Sequence, residues 1–78
     1  GMSVDTDNVI VQTVKIAEDD SGYVLRAIET GGKPCTATLD LKFIGRKAVL
    51  NFRPQEFKTV YVPLDGREIK EILLTELG

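Results

Sequence analysis

From Cys35 to Phe43 the chain alternates apolar and polar residues without a break. Cys35, Ala37, Leu39, Leu41 and Phe43 fall on one side, and Thr36, Thr38, Asp40 and Lys42 on the other. Side chains of an extended strand point to opposite faces at period two, so this is a strand with one dry and one wet face. A slip of one residue would bury Asp40 and Lys42, which fixes the register. Upstream, residues 23–30 (YVLRAIET) read as a second strand. Between the two lies Gly31-Gly32-Lys33-Pro34. The glycines tolerate the positive φ angles of a tight turn, and Pro34 has no amide to give a ladder. The expectation is a hairpin in which the chain reverses between Thr30 and Cys35.

Seventy-eight residues make one domain. A chain this short buries only about 60% of its unfolded surface, so its stability margin is narrow and a large enclosed active site does not fit. The net charge of −2 gives no general drive toward nucleic acid or acidic membranes. With one cysteine and no histidine, the chain excludes a disulfide framework and any metal site built on histidine or several cysteines. Cys35, on the dry face, reads as a small core residue. No apolar run approaches the roughly 20 residues of a membrane span and no signal peptide is visible, so a cytoplasmic location is expected. Gly1 reads as the remnant of a cleaved tag before a native Met2, which would make this a complete small gene product.

Residues 1–7 are polar and expected to fray, and 8–78 to form a single β-sandwich domain. Residues 9–17 (VIVQTVKIA) are rich in β-branched side chains and read as a strand apolar on both faces, as if packed on two sides or against a partner. Glu18-Asp19-Asp20-Ser21-Gly22 is an acidic turn with the wrong spacing for an EF-hand loop. A short link at 44–47 leads to a strand at 48–53 with Ala48, Leu50 and Phe52 on one side. Pro54 breaks it. Residues 57–64 form another strand, with Pro63 marking an end or an edge. Asp65-Gly66 signals a turn. Residues 67–77 suit a helix by pattern, with Ile69, Ile72, Leu73 and Leu77 near one face and Asp65 and Glu68 resembling a capping box.

These elements recur at a spacing typical of a small all-β domain. The reading is a small antiparallel β-sandwich of about six strands, with a five-stranded barrel carrying a C-terminal helix as the alternative. The dry interior is expected to contain Leu25, Ala37, Leu39, Leu41, Leu50, Phe52 and Val60.

Without histidine, neither a Ser-His-Asp nor a Cys-His arrangement can exist. Glu29, Asp40 and Glu56 could in principle supply paired carboxylates, but none sits in a recognisable motif. No catalytic, cofactor-binding or metal-binding residue is assigned. Gly31-Gly32-Lys33 lacks the phosphate-loop pattern. Between Lys42 and Lys58 there are five basic residues (Lys42, Arg46, Lys47, Arg53 and Lys58) against one acid, Glu56, interleaved with Phe43, Phe52 and Phe57. On an OB-like barrel such a face would bind single-stranded nucleic acid. Phe43 and Phe52, however, share their strand faces with apolar neighbours and read as core. Arg26 and Glu29, three apart, point to opposite faces and must each find a partner elsewhere.

Several stretches also resemble the C-terminal β-domain of glycoside hydrolase family 38 α-mannosidases. Asn8-Val9-Ile10-Val11 through Lys15-Ile16-Ala17-Glu18-Asp19 carries part of the likeness. So does Gly22 through Gly32, with Leu25-Arg26, Glu29 three residues on and the glycine after it. Pro54-Gln55-Glu56-Phe57-Lys58-Thr59-Val60 and Glu71-Ile72-Leu73-Leu74-Thr75-Glu76-Leu77 complete it. The resemblance implies a strand for the last segment. It also implies a non-catalytic module packing against a domain that hydrolyses α-mannosides with zinc and an aspartate nucleophile, none of which maps onto this chain. The implied partner is a catalytic mannosidase chain or domain, or a second copy of this chain, with no membrane, no nucleic acid and no cofactor. A carbohydrate-binding module with exposed aromatics, Tyr23 or Tyr61 among them, and the nucleic-acid binder using residues 42–58 are the alternatives.

Overall fold

The computed structural model describes residues 2–72. The element order is β1 (Met2–Val4), β2 (Val9–Ile16), β3 (Gly22–Glu29), β4 (Cys35–Leu41), a 3-10 turn (Lys42–Ile44), β5 (Arg46–Phe52), β6 (Phe57–Pro63) and β7 (Lys70–Ile72). The strands form two antiparallel sheets, one of three strands in the order β1-β4-β5 and one of four in the order β2-β3-β6-β7. This is an all-β sandwich fold, as the alternation implied. The strands do not close on one another, which removes the five-stranded barrel. The C-terminal helix of that alternative, which the apolar pattern suited, also gives way where it can be followed to the strand that the resemblance implied: residues 70–72 pair with β6, placing Lys70 opposite Tyr61. Residues 73–77 lie outside the described residues. The chain forms two compact units. One is the N-terminal stretch to Ile10 with Ile28–Phe57, the other Val11–Ala27 with the stretch from Lys58 onward.

In the first unit the alternation of β4 and β5 translates directly into burial. Ala37, Leu39 and Leu41 on β4 and Ala48, Leu50 and Phe52 on β5 are all buried. The register sets large against small: Ala37 faces Leu50, and Leu39 faces Ala48. Such pairs fill the pleated surface without voids. On the wet side the Thr36 hydroxyl donates to Asn51 Oδ1 at 2.8 Å. Met2–Val4, expected to fray, instead forms the outer strand of this sheet, with Val4 opposite Leu39 and Met2 opposite Leu41. Asp5 secures the exit by accepting the Thr38 amide at 2.8 Å.

Two expectations for this unit fail for a local reason. Phe43 was placed on the dry face, yet it is 45% exposed. The 3-10 turn ends β4 at Leu41 and takes Phe43 out of the two-residue rhythm, and Gly45 at φ 66° turns the chain into β5. Cys35 is only half-buried, because it opens its strand instead of lying within it. The hairpin is a larger correction. β3 and β4 belong to different sheets, so the turn at 30–34 is a crossover.

In the second unit Leu25 and Ala27 of β3 and Val60 and Val62 of β6 are buried. Pro63 ends β6, where its missing amide costs no ladder bond. The strand apolar on both faces, β2, is the outer strand of its sheet, and Ile10, Val14 and Ile16 remain exposed. The acidic turn is stabilised by Asp19, which accepts the Ser21 amide at 3.0 Å. Asp20, not Gly22, takes the positive φ there, at 60°. Gly22 is required for another reason. A Cβ at this position would lie 2.3 Å from the Val62 carbonyl oxygen and 2.9 Å from the Pro63 Cα. Both are backbone atoms of the neighbouring strand, which cannot swing aside as a flexible side chain could. Gly22→Ala is therefore expected to lose about 1–3 kcal/mol through forced displacement of β3 from β6. Thermal unfolding of the variant checks this, and an unchanged midpoint would contradict it.

Candidate functional site

The polar centre of the first unit is Glu29. It ends β3 on the face of Leu25 and Ala27 and is completely buried, while Arg26 is exposed. The separation of Arg26 and Glu29 onto opposite faces is thus as the spacing required. A buried carboxylate needs hydrogen-bond donors for its lone pairs, and here four backbone amides supply them. The Gly31 N–H donates to Oε2 at 2.7 Å. The amides of Gly32 at 2.8 Å, Lys33 at 3.3 Å and Gln55 at 2.8 Å all donate to Oε1. Gly32 at φ 72° and Gln55 at φ 60° adopt left-handed conformations within these two turns.

Glu29 joins the turns through its backbone as well, its amide donating to the Glu56 carbonyl at 2.9 Å. Glu56 closes its own turn by accepting the Arg53 amide at 2.8 Å. The Asn8 carbonyl accepts the Thr30 amide at 2.7 Å, which brings the start of β2 to the same point. The crossover at 30–34 thus folds around a side chain. Its amides are spent on Glu29 and are not available for a ladder between β3 and β4.

The Gln55 amide, followed by those of Gly31, Gly32 and Lys33, holds the Glu29 carboxyl below its ordinary value of 4.5 against the opposing effect of burial. A general acid requires the reverse shift, and a general base requires an oxygen able to reach substrate. Glu29 is a structural anion. Its contribution to stability is complete above about pH 4.5 and is lost as the pH falls through its lower folded value. Asp19, bonded by the Ser21 hydroxyl and amide, and Asp65, bonded by Arg67, are shifted in the same direction.

Asp40 lies opposite Lys47 and Ser3 in the register of the first sheet. Among the basic residues between 42 and 58, Lys58 donates to Glu71 at 2.6 Å and Arg53 approaches Glu56 at 3.7 Å. Phe52 is buried, whereas Phe43 and Phe57 are exposed. Among the described residues no group of three histidine, cysteine or acidic side chains is placed to hold a metal, and no helix is long and apolar enough to cross a membrane.

The second unit contains an open cleft of about 260 Å³ lined by Tyr61, Pro63, Arg67, Glu68 and Lys70. Sequence reasoning noted Tyr61 but missed the rest, because the cleft arises from the turn at Asp65-Gly66 and the pairing of Lys70 with Tyr61. The Asp65-Gly66 turn was a legible signal. Its consequence, an arginine fixed by Asp65, was not.

Two antiparallel sheets, with the buried carboxylate of Glu29 tying turns together, define an all-β sandwich domain. Residues 8–76 match the glycosyl hydrolases family 38 C-terminal beta sandwich domain, and the chain belongs to that family. No curated protein and no solved structure matches it.

Proposed function

We propose that this chain is the non-catalytic module of an α-mannoside-hydrolysing assembly, that it packs against the catalytic part, and that it contributes no reacting group. The observation that carries this reading is the family match across residues 8–76, nearly the whole chain. The use of Glu29 as a buried acceptor for four amides supports it, since this carboxylate is withdrawn from chemistry.

The test is a calorimetric titration of the chain into the catalytic part of a family 38 α-mannosidase from the same source, with α-mannoside turnover measured for each component. A one-to-one complex with Kd on the order of micromolar or tighter is expected, with turnover confined to the catalytic part. Failure to associate, or α-mannoside hydrolysis by the chain alone, would overturn the proposal.

A further inference from the structure

We propose that the cleft on the second unit binds one ring of a neutral sugar. It is lined by Tyr61 and Pro63, alternate residues of β6, together with Arg67, Glu68 and Lys70. Three features of this arrangement point to a polyol.

The first is a fixed aromatic platform. Ser21 Oγ donates its single hydrogen to Asp19 Oδ1 at 2.6 Å, so in its bond with the Tyr61 hydroxyl Ser21 is the acceptor and Tyr61 the donor. The chain of hydroxyls holds the ring from its far end. An immobilised ring presents an apolar face to the C–H face of a pyranose at little entropic cost.

The second is the mixture of donors and acceptors around that platform. Arg67 is held by Asp65, its Nε lying 2.8 Å from Oδ2 and its amide donating to Oδ1 at 3.2 Å. This contact leaves the two terminal amino groups of the guanidinium outside the pair. With Lys70 they provide donors, and Glu68 provides an acceptor. Vicinal hydroxyls, each both donor and acceptor, satisfy such a set. The lining carries the two cations Arg67 and Lys70, which Glu68 on the lining and Asp65, bonded to Arg67 just outside it, offset. That balance argues against a phosphate.

The third is size. About 260 Å³ is just below the range of roughly 300–1,000 Å³ that suits drug-sized ligands, and the cleft is open on one side. It accommodates one ring of a longer glycan whose remainder stays in solvent. This inference goes beyond the accessory-module reading and does not depend on it. A chain that docks on a catalytic partner but binds no sugar, or the reverse, would separate the two.

The experiment is a titration of the full chain with methyl α-mannoside, methyl α-glucoside and inorganic phosphate, followed by amide NMR. The expected result is a saturable shift of the Tyr61, Arg67 and Lys70 amides by at least one glycoside, with Kd on the order of 1–10 mM. Arg67→Ala, an exposed change that leaves the core intact, should weaken binding at least fivefold, and Tyr61→Ala should abolish it. If Tyr61→Ala unfolds, Tyr61→Phe, which keeps the ring and removes its anchor, should bind more weakly than the parent. Absence of saturable shifts at about 50 mM glycoside, equal binding by Arg67→Ala, or a response to phosphate alone would overturn the proposal.

Discussion

Glu29→Gln is expected to lower the melting temperature by roughly 10 °C or more. The substitution keeps the volume of the side chain but exchanges one carboxylate oxygen for an amino group. That group is itself a donor and would face amides that are also donors. At most one oxygen remains for Gly31, Gly32, Lys33 and Gln55, which now converge on two. Buried amides left without acceptors carry their full desolvation cost. The damage reaches both turns, because the 30–34 crossover and the 53–56 turn share this one acceptor. Glu56→Gln provides the contrast. Its side chain is 24% exposed and serves the local Arg53 amide and guanidinium, so its loss should shift the midpoint by only a few degrees. Circular dichroism melts of the two variants decide the matter, and a Glu29→Gln midpoint within about 2 °C of the parent would contradict it.

Leu39→Ala should cost about 2–5 kcal/mol. Leu39 is fully buried in the central strand of the three-stranded sheet. Its cross-strand neighbours are Val4 and Ala48, both smaller than the side chain removed, so they cannot refill the space. A domain of this length has little margin over the lower end of the roughly 5–15 kcal/mol typical of native proteins. The variant should therefore populate unfolded chains near body temperature. Val49→Ala on the adjacent strand, 66% exposed, should stay within about 0.5 kcal/mol. Denaturant titrations of both measure the difference, and equal midpoints would contradict the assignment of the dry face.

Much of the fold was legible because a strand's two-residue period is independent of context. Leu25, Ala37, Leu39, Leu41, Leu50, Phe52 and Val60, the apolar residues read as interior, are all buried. The failures lie where another interaction competes with that period. Phe43 left the rhythm when a 3-10 turn ended its strand. Met2–Val4 is too short to signal itself and is ordered by pairing with a strand some 35 residues away in sequence. The supposed hairpin at Gly31-Gly32 was misread because turn chemistry alone does not say whether two strands share a sheet. The missing information was the partner of Glu29. A glutamate with two glycines beginning two residues on, in a strand whose other odd positions are apolar, is a recognisable pattern for a carboxylate cradled by backbone amides. For the cleft, Tyr61 was visible as an aromatic residue, while Arg67 and Lys70 joined it only through the return of β7 along β6.

The account rests on Glu29 being committed to structure and withdrawn from reaction. The measurement that tests this most directly is an NMR titration of its side-chain carboxyl carbon in the intact chain. A midpoint below the ordinary glutamate value of 4.5, coinciding with loss of the shifts of Gly31, Gly32 and Gln55 as acid unfolds the turns, is predicted. A midpoint at or above 4.5, with those amides undisturbed as the carboxyl protonates, would contradict it.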